Sequence, residues 1–357
     1  MRVSISTIWL VAAAAVLGGC RNEIRVEDDL TFSLFEYRLH TPYVEGVSVA
    51  ITVAREDGGV DGWSLRSSDE TVMTVERSYA LDEGVFKTNC HAGGTGRTEL
   101  EVLDAEGHVR ASRTVDVHRP ERVDLYPAGL QRVRRDVDVP AHDCDEPILV
   151  LAGGTATFEA AYCAGGERLY GNGVLLPAGD AGALGASDKT TYLFQRREYL
   201  QLSPAQTGAY LLGLAADRRP EYALARVPAE VVDESAIAEV RIEAEQTYGA
   251  QDGETFYLLA RAFDERGREI YGVDFEWTIG GQAQTLKGDL LDYAYGEGMH
   301  ADVEAAAGDA SDGKEIAMRS GQVTSSNLIG CSTAAGRASL LAALATAALA
   351  LARRRAY

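Results

Sequence analysis

Three cysteines in the body of the chain, Cys90, Cys144 and Cys163, and two runs of carboxylates are the side chains whose type and spacing could do chemistry. Cys90 precedes His91, a pairing that in an activated thiol lets the imidazole take the proton. Nothing nearby supplies a third, orienting group, so Cys90 reads as a structural thiol, free or paired elsewhere. Cys144 and Cys163 are close enough in sequence for a loop to return onto the strand Thr157 to Cys163. They are expected to form a disulfide, which in the chain-entropy account contributes about 3 kcal/mol. The carboxylate runs are Asp136-Val-Asp138 with His142-Asp143 and Asp145-Glu146, and Asp309-Ala-Ser-Asp312-Gly-Lys-Glu315. Calcium needs six to eight oxygens on a tightly turned loop, and neither run has the Asp-x-Asp-x-Asp-Gly spacing that supplies them. Solvated acidic loops are the expectation and a weak calcium site the alternative. Six histidines without His-Glu-x-x-His, no Gly-x-Ser-x-Gly and no phosphate-cradling glycine loop leave no expected catalytic, cofactor or metal residue.

The elements that must hold these side chains are short and alternating. Val47-Ser-Val-Ala-Ile-Thr-Val53, Thr98-Glu-Leu-Glu-Val102, Tyr199-Leu-Gln-Leu202 and Val240-Arg-Ile242 are separated by turns such as Ala105-Glu-Gly107 and Glu265-Arg-Gly267. Strands with one wet face, joined by tight turns, predict an all-β chain of antiparallel sandwiches. Tyr162-Cys-Ala-Gly-Gly166-Glu-Arg-Leu-Tyr170-Gly171 lines up with Phe263-Asp-Glu-Arg-Gly267-Arg-Glu-Ile-Tyr271-Gly272 at an offset of 101 residues. An offset of that size is one sandwich per repeat. The predicted units are residues 24–118, 121–231 and 236–327, with linkers where Pro and short charged runs interrupt the alternation, at His118 to Arg122 and at Val227 to Ser235.

The first unit carries Trp63-Ser-Leu-Arg-Ser-Ser-Asp69-Glu-Thr-Val72-Met-Thr-Val75, followed by Ala92-Gly93-Gly94-Thr95. This pattern resembles the bacterial Ig-like group-2 (BIG2) domains, and the resemblance implies tandem Ig-like sandwiches with Trp63 in the packing. Trp277 stands in a comparable place in the last unit, and both tryptophans read as core residues. Tyrosine outnumbers phenylalanine 16 to 8. Strand packing accounts for this excess, and a face that stacks on sugars or proteins is the alternative.

The two ends differ from the body. Residues 1–19 hold Arg2, an apolar run from Ile8 to Leu17 and then Gly18-Gly19, directly before Cys20. This has the parts of a secretory signal with a short apolar helix. Leu17-Gly18-Gly19-Cys20 resembles the lipobox of bacterial lipoproteins, which implies cleavage before Cys20 and acylation of its thiol. At the other end, residues 331–357 contain Gly330-bounded Cys331-Ser332, an apolar run from Ala338 to Ala352 and Arg353-Arg354-Arg355. That tail is similar to the MYXO-CTERM sorting tails of myxobacteria, which implies processing near Cys331. A lipobox and such a tail in one chain make the anchor a choice between Cys20, Cys331 or both.

Charge narrows the partners. The chain carries 34 Lys plus Arg against 54 Asp plus Glu, a net −20. Residues 1–20 and 331–357 contain five Arg and no acid, so the body stands at −25. Such a body repels nucleic acid and anionic lipid surfaces. The combined expectation is an exported, non-enzymatic protein without cofactors, held in an outer membrane by lipid on an acylated cysteine and displayed at the cell surface. There it would act as a spacer or adhesion module for an unidentified protein or glycan. The alternative is an accessory subunit of an envelope assembly for secretion or polysaccharide export.

Overall fold

The structure, a computed structural model, describes residues 24–28, 39–55, 58–133, 139–171, 173–190, 198–216, 219–244 and 249–326. Strands account for 62% of the described residues and helix for about 4%, which makes the class all-β, as the alternating patterns imply. The short apolar helices expected at the two ends lie outside the described residues.

The first nine strands are β1 (Ile24–Asp28), β2 (Tyr43–Val44), β3 (Ser48–Arg55), β4 (Ser64–Ser67), β5 (Met73–Val75), β6 (Tyr79–Asp82), β7 (Val85–Ala92), β8 (Gly96–Leu103) and β9 (Val109–His118). They form two sheets, β1-β3-β7-β5 with β6 on β7, and β2-β9-β8-β4. Alternation sets which side chains face inward. In β8, Thr98, Leu100 and Val102 are buried while Glu99 and Glu101 are only partly so.

Next come β10 (Arg122–Pro127), the helix α1 (Ala128–Val133), β11 (Ile148–Leu151), β12 (Ala156–Ala164), β13 (Glu167–Arg168), β14 (Leu175–Gly179), β15 (Ser187–Thr190), β16 (Glu198–Leu202), β17 (Gly208–Ala216) and β18 (Arg219–Val232). One sheet is β10-β12-β16-β15 with β13 on β12, and β14-β17-β18-β11 lies in the other. The linker expected at Val227 to Ser235 is instead mostly strand, because β18 continues through Pro228 to Val232. Pro228 lies opposite Leu211, whose N–H donates to Asp180 Oδ2 at 2.8 Å, so this pair asks for no donor from the proline. The connection shortens to a single 3₁₀ turn at Glu234–Ala236, capped by the Asp233 carboxylate on Ser235 N–H.

The last strands are β19 (Glu239–Ala244), β20 (Thr255–Phe263), β21 (Glu269–Tyr271), β22 (Glu276–Ile279), β23 (Gln282–Lys287), β24 (Leu290–Ala307) and β25 (Ala310–Ser326). They do not close into a separate sheet. β11 pairs in parallel with β18 on one side and with β21 on the other, so one sheet of 11 strands runs from β14 through β23.

The core follows the pairing. One apolar cluster runs from Val26 to Val231 through the first two groups of strands, and a second fills the last group. The four residues of β11 divide between them: Ile148 and Val150 join the first cluster, while Leu149 joins the second and Leu151 packs against it. A strand buried on both faces has no polar alternation, which is why Ile-Leu-Val-Leu is wholly apolar. Trp277 is fully buried, with Nε1–H donating to the Gly288 carbonyl at 2.8 Å. Trp63 is half-buried, with the Arg55 guanidinium 5.1 Å from its ring centre.

Candidate functional site

The thiols take places that sequence spacing alone does not set. Cys20 and Cys331 lie outside the described residues. Cys90 is in the middle of β7, paired between Val49 of β3 and Val75 of β5, and 1% exposed. Burial, with the Glu76 carboxylate adding to it, pushes its thiol up to about 12, so the sulfur stays protonated and unreactive. His91 points elsewhere, its Nδ1 3.1 Å from Ser48 Oγ. Adjacent residues of a strand face opposite sides, so a Cys-His dipeptide in β7 does not form a catalytic pair.

The expected Cys144–Cys163 bridge is not formed, and both sulfurs are free. Cys163, near the end of β12, donates its S–H to Asp124 Oδ2 on β10 at 3.3 Å. Burial raises its thiol, and the hydrogen bond to Asp124 raises it further. The loop bearing Cys144 is fixed by its own bonds. His142 N–H donates to the Leu125 carbonyl at 2.7 Å, and Asp145 N–H donates to Asp143 Oδ1 at 3.0 Å. The loop does return to this sheet, as expected, but its turn leaves the half-buried Cys144 as a packed thiol.

The carboxylate runs also serve the fold. Asp136 and Asp138 lie outside the described residues, and Asp143 caps its own turn. Asp312 Oδ2 accepts the Ile242 N–H at 2.7 Å and Oδ1 accepts the Gly313 N–H at 2.9 Å, tying β25 to β19. Sequence reasoning missed a third group: Asp104, Glu106 and His108 bring three ligand atoms within 4.8 Å of one another at the β8–β9 turn. Asp104 is already engaged there. Its Oδ1 accepts the Glu106 and His108 N–H groups at 3.1 and 2.8 Å, and its Oδ2 takes Arg110 Nε at 2.6 Å. Burial pushes the Asp104 carboxyl up, but these donors outweigh it and hold it at about 2. The β20–β21 turn repeats the device, with Asp264 accepting from Arg266 N–H, Arg268 N–H and Arg268 Nε. The repeated Asp-x-x-Gly of these two turns is therefore a hairpin lock.

Two buried glutamates also escaped the sequence reading, because each sits at an apolar-looking strand position. Glu198 bridges the two sheets of the middle group. Its Oε2 accepts the Tyr162 hydroxyl at 2.5 Å and its Oε1 accepts the Leu175 N–H at 2.7 Å. Burial raises the carboxyl. Glu159 is paired with Arg168. Tyr43, Tyr162, Tyr199 and Tyr293 are buried, which assigns these tyrosines to strand packing.

Two hollows remain. A cavity of about 110 Å³ lies between the middle and last groups of strands, walled by Gly129, Gly154, Glu269, Tyr271, Asp274 and Asp289 among others. An open cleft of about 610 Å³ lies between the first and middle groups, lined by Arg97, Asp116, His118, Arg119, Glu121 and Gly165. Its charges are paired. Arg97 meets Asp116 at 2.7 Å, Arg119 meets Glu45 at 2.9 Å, and Glu121 accepts the Gly165 N–H at 3.0 Å.

No family model and no curated protein matches this chain. Among solved structures, it is similar to domains 4–9 of the surface layer protein SbsC, with 12% identity and a TM-score of 0.34, covering 83% of this chain and 47% of that one. It is also similar to FdeC, an Escherichia coli adhesin, with 12% identity and a TM-score of 0.25, covering 84% of this chain and 99% of that one. Invasin, a bacterial integrin-binding protein, matches with 11% identity and a TM-score of 0.23, covering 84% and 60% of the two chains. The chain thus spans about half the length of the SbsC fragment that it matches. Superpositions with TM-scores this low transfer no activity from these proteins.

Proposed function

We propose that this chain is a non-catalytic surface protein: three consecutive Ig-like sandwiches, at residues 24–118, 121–231 and 236–327, carried on a lipid anchor at Cys20 and displayed from an outer membrane as a spacer or adhesion module. The observation that carries this reading is serial strand pairing. β2 meets Tyr170 of the following unit and β11 meets β21 of the one after, so that one unit hands its sheet edge to the next. Thiols and carboxylates with chemical potential are spent inside the units, Cys90 in a core, Cys163 on Asp124, and Asp104 and Asp264 in turns. The body charge of −25 keeps such a surface soluble.

The lipid anchor is tested by expressing Cys20→Ala and Cys331→Ala chains and following radiolabelled palmitate and membrane fractionation. Cys20→Ala is expected to lose both the label and the membrane. Retention of label and membrane in Cys20→Ala, with loss in Cys331→Ala, would move the anchor to the tail. Retention in the double variant would overturn lipid anchoring through either thiol. Display is tested by a membrane-impermeant amine reagent on intact cells, which is expected to modify the chain; protection until the outer membrane is opened would place it in the periplasm instead.

A further inference from the structure

The repeat detected in the sequence occupies the same structural place in the second and third units, and the first unit has a related corner that departs from it. A corner follows the first long strand of each unit, reading Val60-Asp61-Gly62, Leu169-Tyr170-Gly171 and Ile270-Tyr271-Gly272. Its aliphatic residue is buried every time: Val60 is 2% exposed, Leu169 3% and Ile270 2%. Its glycine takes a positive φ every time, 76°, 124° and 78°. Only the central residue changes, from Asp in the first unit to Tyr in the other two.

The two tyrosine corners dock on the preceding unit in the same way. The Tyr170 N–H donates to the Pro42 carbonyl at 2.8 Å, and the Val44 N–H donates to the Tyr170 carbonyl at 2.9 Å, forming a parallel bridge to β2. β2 is parallel on its other side to β9, the last strand of its own unit. Tyr271 stands opposite Val150 in the parallel pairing of β21 with β11, and β11 is parallel on its other side to β18, again the last strand of its unit. The rings add edge contacts, Tyr170 on His40 at 5.2 Å and Tyr271 on Phe158 at 4.9 Å between ring centroids. The glycines close the fit. A Cβ on Gly171 would stand 2.6 Å from Val47 Cγ2, and one on Gly154 would stand 1.9 Å from the Gly272 carbonyl oxygen. Asp61 and Gly62, by contrast, are exposed, and a Cβ on Gly62 would meet only Ala105 of its own unit.

We infer that the Tyr-Gly corner is the coupling element between units. Each corner plugs into a socket made of a short strand held in parallel on the last strand of the preceding unit, and the first unit carries Asp-Gly at a corner that is exposed. The interaction surface is thus the outer edge of that short parallel strand with its close-packed floor, and the partner it fits is an aliphatic-Tyr-Gly corner of the following sandwich. Tyrosine suits this place because its ring covers apolar surface at the seam while its hydroxyl reaches a polar rim. Aspartate at the same position leaves a carboxylate whose desolvation opposes docking. The inference rests on the three-unit division, and the test keeps the two apart.

The test is hydrogen exchange on the full chain, read by mass spectrometry on peptides covering 43–47 and 148–151. Tyr170→Asp is expected to speed exchange of 43–47 by about tenfold and to leave 148–151 unchanged, and Tyr271→Asp to do the reverse. Gly171→Ala, which keeps the tyrosine but spoils the fit on Val47, is expected to act like Tyr170→Asp. Asp61→Tyr is expected to leave both peptides unchanged. Unaltered exchange at 43–47 in both Tyr170→Asp and Gly171→Ala would overturn the coupling role. A uniform rise along the whole chain from either tyrosine variant would instead overturn the division into units.

Discussion

The two junctions of this chain use one corner motif with very different amounts of support. At the first, Tyr170 makes a single parallel bridge to β2, and an open cleft of about 610 Å³ with paired surface charges lies beside it. At the second, Tyr271 belongs to a strand, β11 buries its two faces in two different cores, and α1 reaches across to place Leu130 and Val133 against Leu259 and Leu290. The hollow there is a cavity of about 110 Å³. At the first junction the apolar core continues across beneath a corner with a single bridge, whereas at the second the sheet continues and β11 parts two cores, with a helix covering the seam.

The largest effects are therefore expected at the second junction. Gly154→Ala puts a methyl group onto the Gly272 carbonyl, and backbone cannot move aside as a side-chain tip can. The expected loss is about 3 kcal/mol, the upper end for overpacking, measured by urea unfolding of the full chain. At the first junction Gly171→Ala meets Val47 Cγ2 at 2.6 Å and its Cβ at 2.9 Å, and alanine is strained at the φ of 124° that this glycine takes. It is expected to cost about 2 kcal/mol, part of it backbone strain rather than packing. Equal losses from the two substitutions would mean that the seams are equally tight and would remove the contrast.

How far the sequence discloses this arrangement depends on the distance between the parts. Alternation in Val47 to Val53 and Thr98 to Val102 discloses β3 and β8, because the pattern that buries one face is written within a few residues. The Tyr-Gly repeat is visible as a repeat, but its role is not, since Tyr271 meets a strand more than a hundred residues earlier in the chain. Ile148 to Leu151 carries a local signal that was open to reading: four apolar residues without alternation mean burial on both faces. Pro228 misleads because proline interrupts ladders in general, and only the bond of Leu211 to Asp180 shows that this pair asks nothing of it. For Cys144 and Cys163, spacing gives the length of the loop but not the direction of its turn, which His142 and Asp143 fix through the backbone.

Acidity should also separate the junctions. Asp289 lies on the cavity at the second junction, where burial, with Asp274 and Glu269 adding like charge, raises its carboxyl from 3.8 to about 7. A group raised on folding contributes its full stability below the unfolded value and loses it as pH climbs through the folded one. Between about pH 4 and 7 the wild-type chain should therefore lose stability relative to Asp289→Asn. Parallel urea titrations of the two chains at pH 4 and pH 7.5 read this difference. A constant gap across that range would show that water reaches Asp289 freely and that the second junction is wetter than its packing implies.

The smallest effect belongs to the charges of the first junction. Arg97 holds Asp116 at 2.7 Å from across the β8–β9 pair on the wall of the open cleft, yet its side chain is 71% exposed. Water screens such a pair and side-chain entropy opposes its geometry, so Arg97→Ala is expected to leave the urea midpoint essentially unchanged, the more so in high salt. The Tyr170 bridge should then hold the first two units in register with the cleft charges removed, leaving exchange at 43–47 unaltered. A clear loss of stability that persists in salt would require a desolvated ion pair. In that event the first junction would be a closed seam held by charge, and the difference between a single-bridge corner and a shared sheet would no longer separate the two ends of the middle group of strands.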